Sequence, residues 1–119
     1  PEACELIAVN AASFGTENLT MIEGEAPAAL EDLPAPTHAY IGGSSGNMRR
    51  IVDLLVEKNP RVRIVAAAIA LETFAELTEI MKGFAFSECV SITVSKATPV
   101  GPYSMMMGQN PVYVFTMQN

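Results

Sequence analysis

The sequence predicts an α/β fold built on a mostly parallel sheet that ends in an antiparallel hairpin. Strand-like and helix-like runs alternate through the first two thirds of the chain, and strands joined through helices pair in parallel. Val62 to Ile69 is almost continuously apolar, the pattern of a strand covered on both faces. The last third instead holds two β-rich runs, Cys89 to Val94 and Val112 to Met117, with no helical pattern between them. Such a pair closes antiparallel.

Residues Pro1 to Phe14 read as a helix. Pro1 and Glu2 suit a first turn, Leu6, Ile7, Asn10 and Phe14 recur at three- and four-residue spacing, and Gly15 supplies a stop. A short strand is expected at Leu19 to Ile22, then a turn at Glu23-Gly24-Glu25-Ala26-Pro27 and a short helical piece around Ala28 to Leu30. Pro34 and Pro36 lead into the next strand, His38 to Ile41.

The helix Met48 to Lys58 puts Met48, Ile51, Val52, Leu55 and Val56 on one face, and Asn59-Pro60 breaks it before Val62. The following helix starts at Ala70 or Thr73 and runs to Lys82, with Leu71, Phe74, Ala75, Leu77, Ile80 and Met81 as candidate core residues. Gly83 ends it. Lys96 to Pro111, rich in Pro, Gly and Met, is read as the connection between the two late strands.

A chain of 119 residues is one domain by size and can bury a real apolar core. Its net charge of −6 offers nucleic acid or an acidic membrane no basic patch. No run approaches the roughly 20 apolar residues of a membrane span, and no basic-then-apolar leader is visible, so cytoplasm is the expected location. Cys4 and Cys89 lie far apart and His38 is the only histidine, so no metal site is expected; both cysteines read as small buried apolar residues in a reducing compartment.

The strongest local signal is Ile41-Gly42-Gly43-Ser44-Ser45-Gly46-Asn47, a glycine-rich turn between a strand and a helix. Such a turn lets backbone approach a ligand and points helix N-terminal NH groups at it; it can equally be a tight turn with Ser45 or Asn47 as helix cap. Open α/β sheets bind ligands at the carboxyl ends of their strands, which is where Gly42, Gly43 and Ser44 fall. Arg49 and Arg50 sit in the first helical turn, where a cation is disfavoured, so either a use at a site rim or a solvated pair balanced by Asp53 is expected.

Taken together, the Glu23-Gly24 with Ala26-Pro27 turn, Ile41-Gly42-Gly43-Ser44 with Gly46-Asn47, Leu71-Glu72-Thr73, and Gly101, Tyr103 and Met105 with Asn110-Pro111-Val112 resemble the later portion of a class I S-adenosylmethionine-dependent methyltransferase. The narrower resemblance is to the precorrin-6Y C5,15-methyltransferases (decarboxylating) of corrin biosynthesis, in their C-terminal or small-subunit domain. It implies a Rossmann-like class I fold, S-adenosylmethionine as cofactor, a tetrapyrrole substrate, and methylation with decarboxylation of a precorrin. Glu25 and Ala26 would lie beside the adenine, and Gly42 and Gly43 beside the cofactor sulfur. Ser44, Arg49, Tyr103 and Met105 would contact the tetrapyrrole. Ser45 stands where glycine is the more usual residue.

The resemblance also implies a preceding strand with a glycine-rich loop and a second strand with an acidic end; the chain starts after both. They would lie between the Leu19 strand and the His38 strand. The isolated chain is therefore expected to be a partial domain over residues 1–119 that neither binds the cofactor well nor methylates, with exposed strand edges that invite a homo-oligomer. The other readings are a noncatalytic self-associating fragment and a methyltransferase for another small molecule.

Overall fold

The computed structural model describes residues 2–119 and divides into two compact units, residues 1–33 and 34–119. Pro1, expected to open the first helix, lies outside the described residues.

In the first unit, α1 spans Glu2–Phe14, with Glu2 and Glu5 in its first turn, where the helix dipole favours acids. Gly15 follows at φ +64, the left-handed stop that the sequence predicts. No residue of α1 is buried. The expected strand Leu19 to Ile22 does not form: the segment is irregular, with Leu19, Met21 and Ile22 exposed. A strand exists only through ladder partners, and among the described residues no strand pairs with it. A short 3-10 helix, Ala28–Leu30, matches the expected helical piece.

The second unit contains β1 (His38–Ile41), α2 (Met48–Lys58), β2 (Arg63–Ala68), α3 (Leu71–Met81), β3 (Phe86–Ile92), β4 (Ser95–Val100), β5 (Tyr103–Gly108) and β6 (Val112–Gln118). Its main sheet has the order β1-β2-β6-β3. β1 and β2 are parallel, and β6 pairs antiparallel with both β2 and β3, so three of the four strands point the same way and β6 is the reversed one. The late pair predicted from composition is thus the β3–β6 ladder, with Cys89 opposite Phe115.

One face of this sheet carries the core. Ile41, Ala66 and Phe115 are in register across β1, β2 and β6, and all are buried. They pack with Met48, Ile51, Val52 and Leu55 of α2 and Leu77 and Ile80 of α3, and the Phe74 ring meets Tyr113 and Phe115 at centroid distances of 4.7 and 5.6 Å. Two corrections follow. Burial along β2 alternates instead of covering both faces: Ile64, Ala66 and Ala68 are buried, while Arg63, Val65 and Ala67 are only partly so, because the buried helix residues all pack on one side. Leu71 and Ala75, expected in the core, are exposed: both lie off the helix face that carries the buried Leu77 and Ile80.

The segment expected to be a simple connection is a second, two-stranded sheet. β4 and β5 pair antiparallel around the turn Gly101-Pro102, and Gln109 N donates to Val94 O at 2.8 Å to close its base. Every residue of both strands is exposed.

Candidate functional site

β1 and β2 run parallel and end side by side, Ile41 opposite Ala66, and each is followed by a helix. Both loops lead to helices on the same side of the sheet, and a crevice lies between them at the carboxyl ends of the two strands. A cleft of about 450 Å³ occupies it, lined by Tyr40, Gly42, Gly43, Ser44, Ser45, Gly46, Met48 and Thr73 together with Ala67, Ala68, Ile69 and Val112. Its volume is in the small-molecule range, roughly 300–1,000 Å³.

The glycine-rich turn shapes this cleft. Asn47 N donates to Ser44 O at 2.8 Å across a tight turn whose central residues, Ser45 and Gly46, both have left-handed φ, +48 and +81. A Cβ on Gly42 would meet the Tyr40 ring at 3.2 Å, whereas one on Gly43 would meet nothing within 4 Å. Gly43 therefore leaves open space beside bare backbone. Asn47 is the N-cap residue of α2, without a side-chain cap hydrogen bond. The walls offer hydroxyls from Tyr40, Ser44, Ser45 and Thr73 and no carboxylate, amine or imidazole.

The α2 N-terminus is already served from within the protein. Its first turn contains Arg49 and Arg50 and no acid, but Glu76 Oε1 of α3 accepts from Arg49 N at 3.3 Å. An internal carboxylate takes the position that an anionic ligand would otherwise fill. The Arg49 residue itself lines a separate cleft of about 230 Å³ with Val52, Asp53, Val56, Ile80, Gly83, Phe84 and Asn119.

Gly42, Gly43 and Ser44 are thus brought together in one cleft, and Arg49 is not among its walls. Tyr103 and Met105 lie on the exposed hairpin, also outside those walls. Glu25 and Ala26 belong to the first unit, Glu25 exposed and Ala26 partly buried. Tyr40, Met48, Ile69 and Val112 are walls that the residue-by-residue sequence reading did not select. The applicable signal was positional: Ile69 directly follows β2, and Val112 opens β6 beside it. The cysteines are not buried as expected: Cys4 is half-buried on a helix with no buried residue, and Cys89 is exposed on the edge strand β3, where partial desolvation pushes its thiol somewhat up. Among the described residues no group of three or more His, Cys, Asp or Glu could hold a metal, and no helix is long and apolar enough to cross a membrane.

A three-plus-one directed sheet with a glycine turn and ligand cleft at its carboxyl end defines a Rossmann-like, class I methyltransferase fold, and solved structures share it. The structure of precorrin-6y C5,15-methyltransferase from Geobacter metallireducens superposes with a TM-score of 0.87 at 31% identity, covering 100% of this chain and 64% of that one. Precorrin 8w decarboxylase from Methanobacterium thermoautotrophicum gives a TM-score of 0.86 at 31% identity, covering 100% and 66%. The chain belongs to the precorrin methyltransferase domain family, whose pattern it matches over residues 1–119. A curated relative from Methanosarcina acetivorans, named probable cobalt-precorrin-6B C(15)-methyltransferase (decarboxylating), is 36% identical over 117 residues, covering 95% of this chain and 62% of the relative. Its counterpart of the same name from Methanothermobacter thermautotrophicus is 32% identical over 115 residues, covering 94% and 60%. The chain therefore spans about three fifths of the length of these curated relatives.

Proposed function

We propose that the complete protein of which this chain forms part methylates and decarboxylates a precorrin in corrin (cobalamin) biosynthesis, with S-adenosylmethionine as methyl donor. The observation that carries this reading is the glycine-floored cleft at the carboxyl ends of β1 and β2, in a chain whose family is the precorrin methyltransferases. Bound there, the cofactor supplies an activated methyl group.

The residues present fit such a role. Gly42 and Gly43 let ligand atoms approach backbone closely, the open space at Gly43 being what a bulky sulfur-bearing group needs. Ser44 offers a hydroxyl at the same mouth, towards substrate, while Met48, Ala68 and Ile69 provide apolar wall that excludes water. The reaction asks for alignment more than for acid or base catalysis. An enamine-like macrocycle is electron-rich at the carbon to be methylated, and after protonation its conjugated ring accepts the electron pair released when an acetate side chain loses carbon dioxide. A cleft that contributes hydroxyls and backbone without a charged side chain suits that task.

The adenine contacts at Glu25 and Ala26 and the tetrapyrrole contacts at Tyr103 and Met105 are proposed on the family resemblance. Arg49 is kept as a substrate contact on the same ground alone, its own cleft giving it no added support. The partner is a small tetrapyrrole, not nucleic acid or membrane, which an acidic chain does not attract. The edges of the sheet, β1 and β3, and the exposed β4–β5 hairpin favour a homo-oligomer. Free cysteines at 4 and 89 favour a reducing cytoplasm.

The test is to incubate the complete protein with S-adenosylmethionine bearing a labelled methyl group and a precorrin, and to follow product mass. The reading expects label in the tetrapyrrole together with loss of carbon dioxide. Label transfer to other small molecules but not to the precorrin would instead support the alternative methyltransferase.

A further inference from the structure

β3 ends the main sheet, and among the described residues no strand pairs along its outer side. Every residue from Phe86 to Ile92 is exposed. Edge strands are normally blunted by lysine, proline or a bulge. β3 has none of these: its ladder to β6 runs without interruption from Phe86 opposite Gln118 to Ile92 opposite Val112. The outer side is thus an open edge onto which another strand can add.

The sequence of this strand, Phe-Ser-Glu-Cys-Val-Ser-Ile, is close to a palindrome centred on Cys89. A two-fold axis through Cys89 sets Phe86 opposite Ile92, Ser87 opposite Ser91 and Glu88 opposite Val90 of a second copy. Moving the axis spoils the fit. At Glu88 it opposes two carboxylates directly, and at Val90 it leaves Phe86 and Ser87 unpaired. Only the axis at Cys89 pairs the whole strand while keeping the two acids from facing each other. The faces sort as well. Ser87 lies opposite Met117 and Cys89 opposite the buried Phe115, so the small residues share the helix-bearing face, and Phe86, Glu88, Val90 and Ile92 share the other. Phe86, Val90 and Ile92 are 47%, 44% and 48% exposed. Two copies joined at this edge merge them into one apolar stripe and withdraw part of it from water.

We infer that β3 is an isologous interface, at which a second copy of the protein adds its own β3 antiparallel about a two-fold axis at Cys89. The inference rests on the homo-oligomer reading and deepens it by naming the surface and its register. The occupant is a second copy because a near-palindromic edge is complementary to itself; a strand of other sequence gains nothing from that symmetry.

The experiment uses the complete protein, wild type and two variants, Val90→Glu and Val90→Lys, with self-association followed by sedimentation velocity and folding by circular dichroism melts. Each variant sets its new charge opposite Glu88 of the second copy, like in one case and opposite in the other. Cys89 reports the register separately: residues directly opposite lie about 4.5–5.5 Å apart at Cα, within the span of a disulfide. Diamide, which takes up the two thiol hydrogens, is therefore expected to join wild-type copies through Cys89, as located by peptide mass. Association is expected to weaken about tenfold in Val90→Glu and to hold or tighten in Val90→Lys, with melts unchanged. An oligomer that forms no Cys89 bridge and responds alike to both variants overturns this interface and leaves the homo-oligomer reading standing. A wild-type protein that sediments as a monomer takes down both, and neither result touches the precorrin reading, which label transfer tests.

Discussion

At Ser45 the backbone has φ +48, a conformation that costs a side chain bearing a Cβ about 1 kcal/mol and glycine almost nothing. Because Ser45 sits at the centre of the turn that forms the cleft mouth, Ser45→Gly is expected to raise the stability of the complete protein by up to about 1 kcal/mol. Urea denaturation midpoints at constant slope would measure it; a lower midpoint would mean that the hydroxyl contributes more than the strain costs. At Gly24, φ is +155 and an added Cβ would fall 2.8 Å from Ala29 Cβ, so Gly24→Ala is expected to destabilise the turn before Pro27 by about 1–3 kcal/mol. The glycines were legible as turn formers from sequence. What sequence could not supply was which of them faces open space, because that depends on Tyr40, two residues away along a strand, and on the separation of two loops.

The α2 helix shows why its amphipathic face was readable and its electrostatics were not. Met48, Ile51, Val52 and Leu55 follow the helical period and are all buried, as their spacing predicts. The acid that serves the α2 N-terminus, however, is Glu76, which accepts from the Arg49 backbone N–H from 27 residues further on, and only the packing of α3 beside α2 reveals it. Glu76→Gln is expected to cost about 0.3–1 kcal/mol, with most of the loss disappearing at high salt. Phe115, 1% exposed and touching the Phe74 ring, is a centre of the α3–β6 contact; Phe115→Ala is expected to cost about 3–5 kcal/mol in a thermal or denaturant melt. The β4–β5 hairpin was hidden for another reason. Its methionines and prolines are weak strand signals, and the informative feature was the Gly101-Pro102 pair between two runs of equal length. Leu19 to Ile22 failed in the opposite sense, a β-prone run without a ladder to join.

For the molecule as a whole, alternation of strands and helices was enough to give the α/β class, and the change of pattern after Gly83 was enough to give the reversed final strand. The cleft was legible in outline, as a glycine turn at a strand's carboxyl end, but its walls at Ile69 and Val112 follow only from β2 and β6 being neighbours in the sheet. The central claim is that this cleft receives the methyl donor, and Gly43 is the position that tests it most directly. A Cβ there meets no atom within 4 Å beyond its chain neighbours, and Gly43 has no left-handed φ, so Gly43→Val should fold as the wild type does while filling the space beside the turn. The decisive measurement is calorimetric titration of S-adenosylmethionine into the complete protein and into Gly43→Val, with melting temperatures recorded for both. An affinity at least tenfold weaker in the variant, about 1.4 kcal/mol, at an unchanged melting temperature is the result expected. Equal affinities within twofold would contradict the account and move the cofactor away from the ends of β1 and β2.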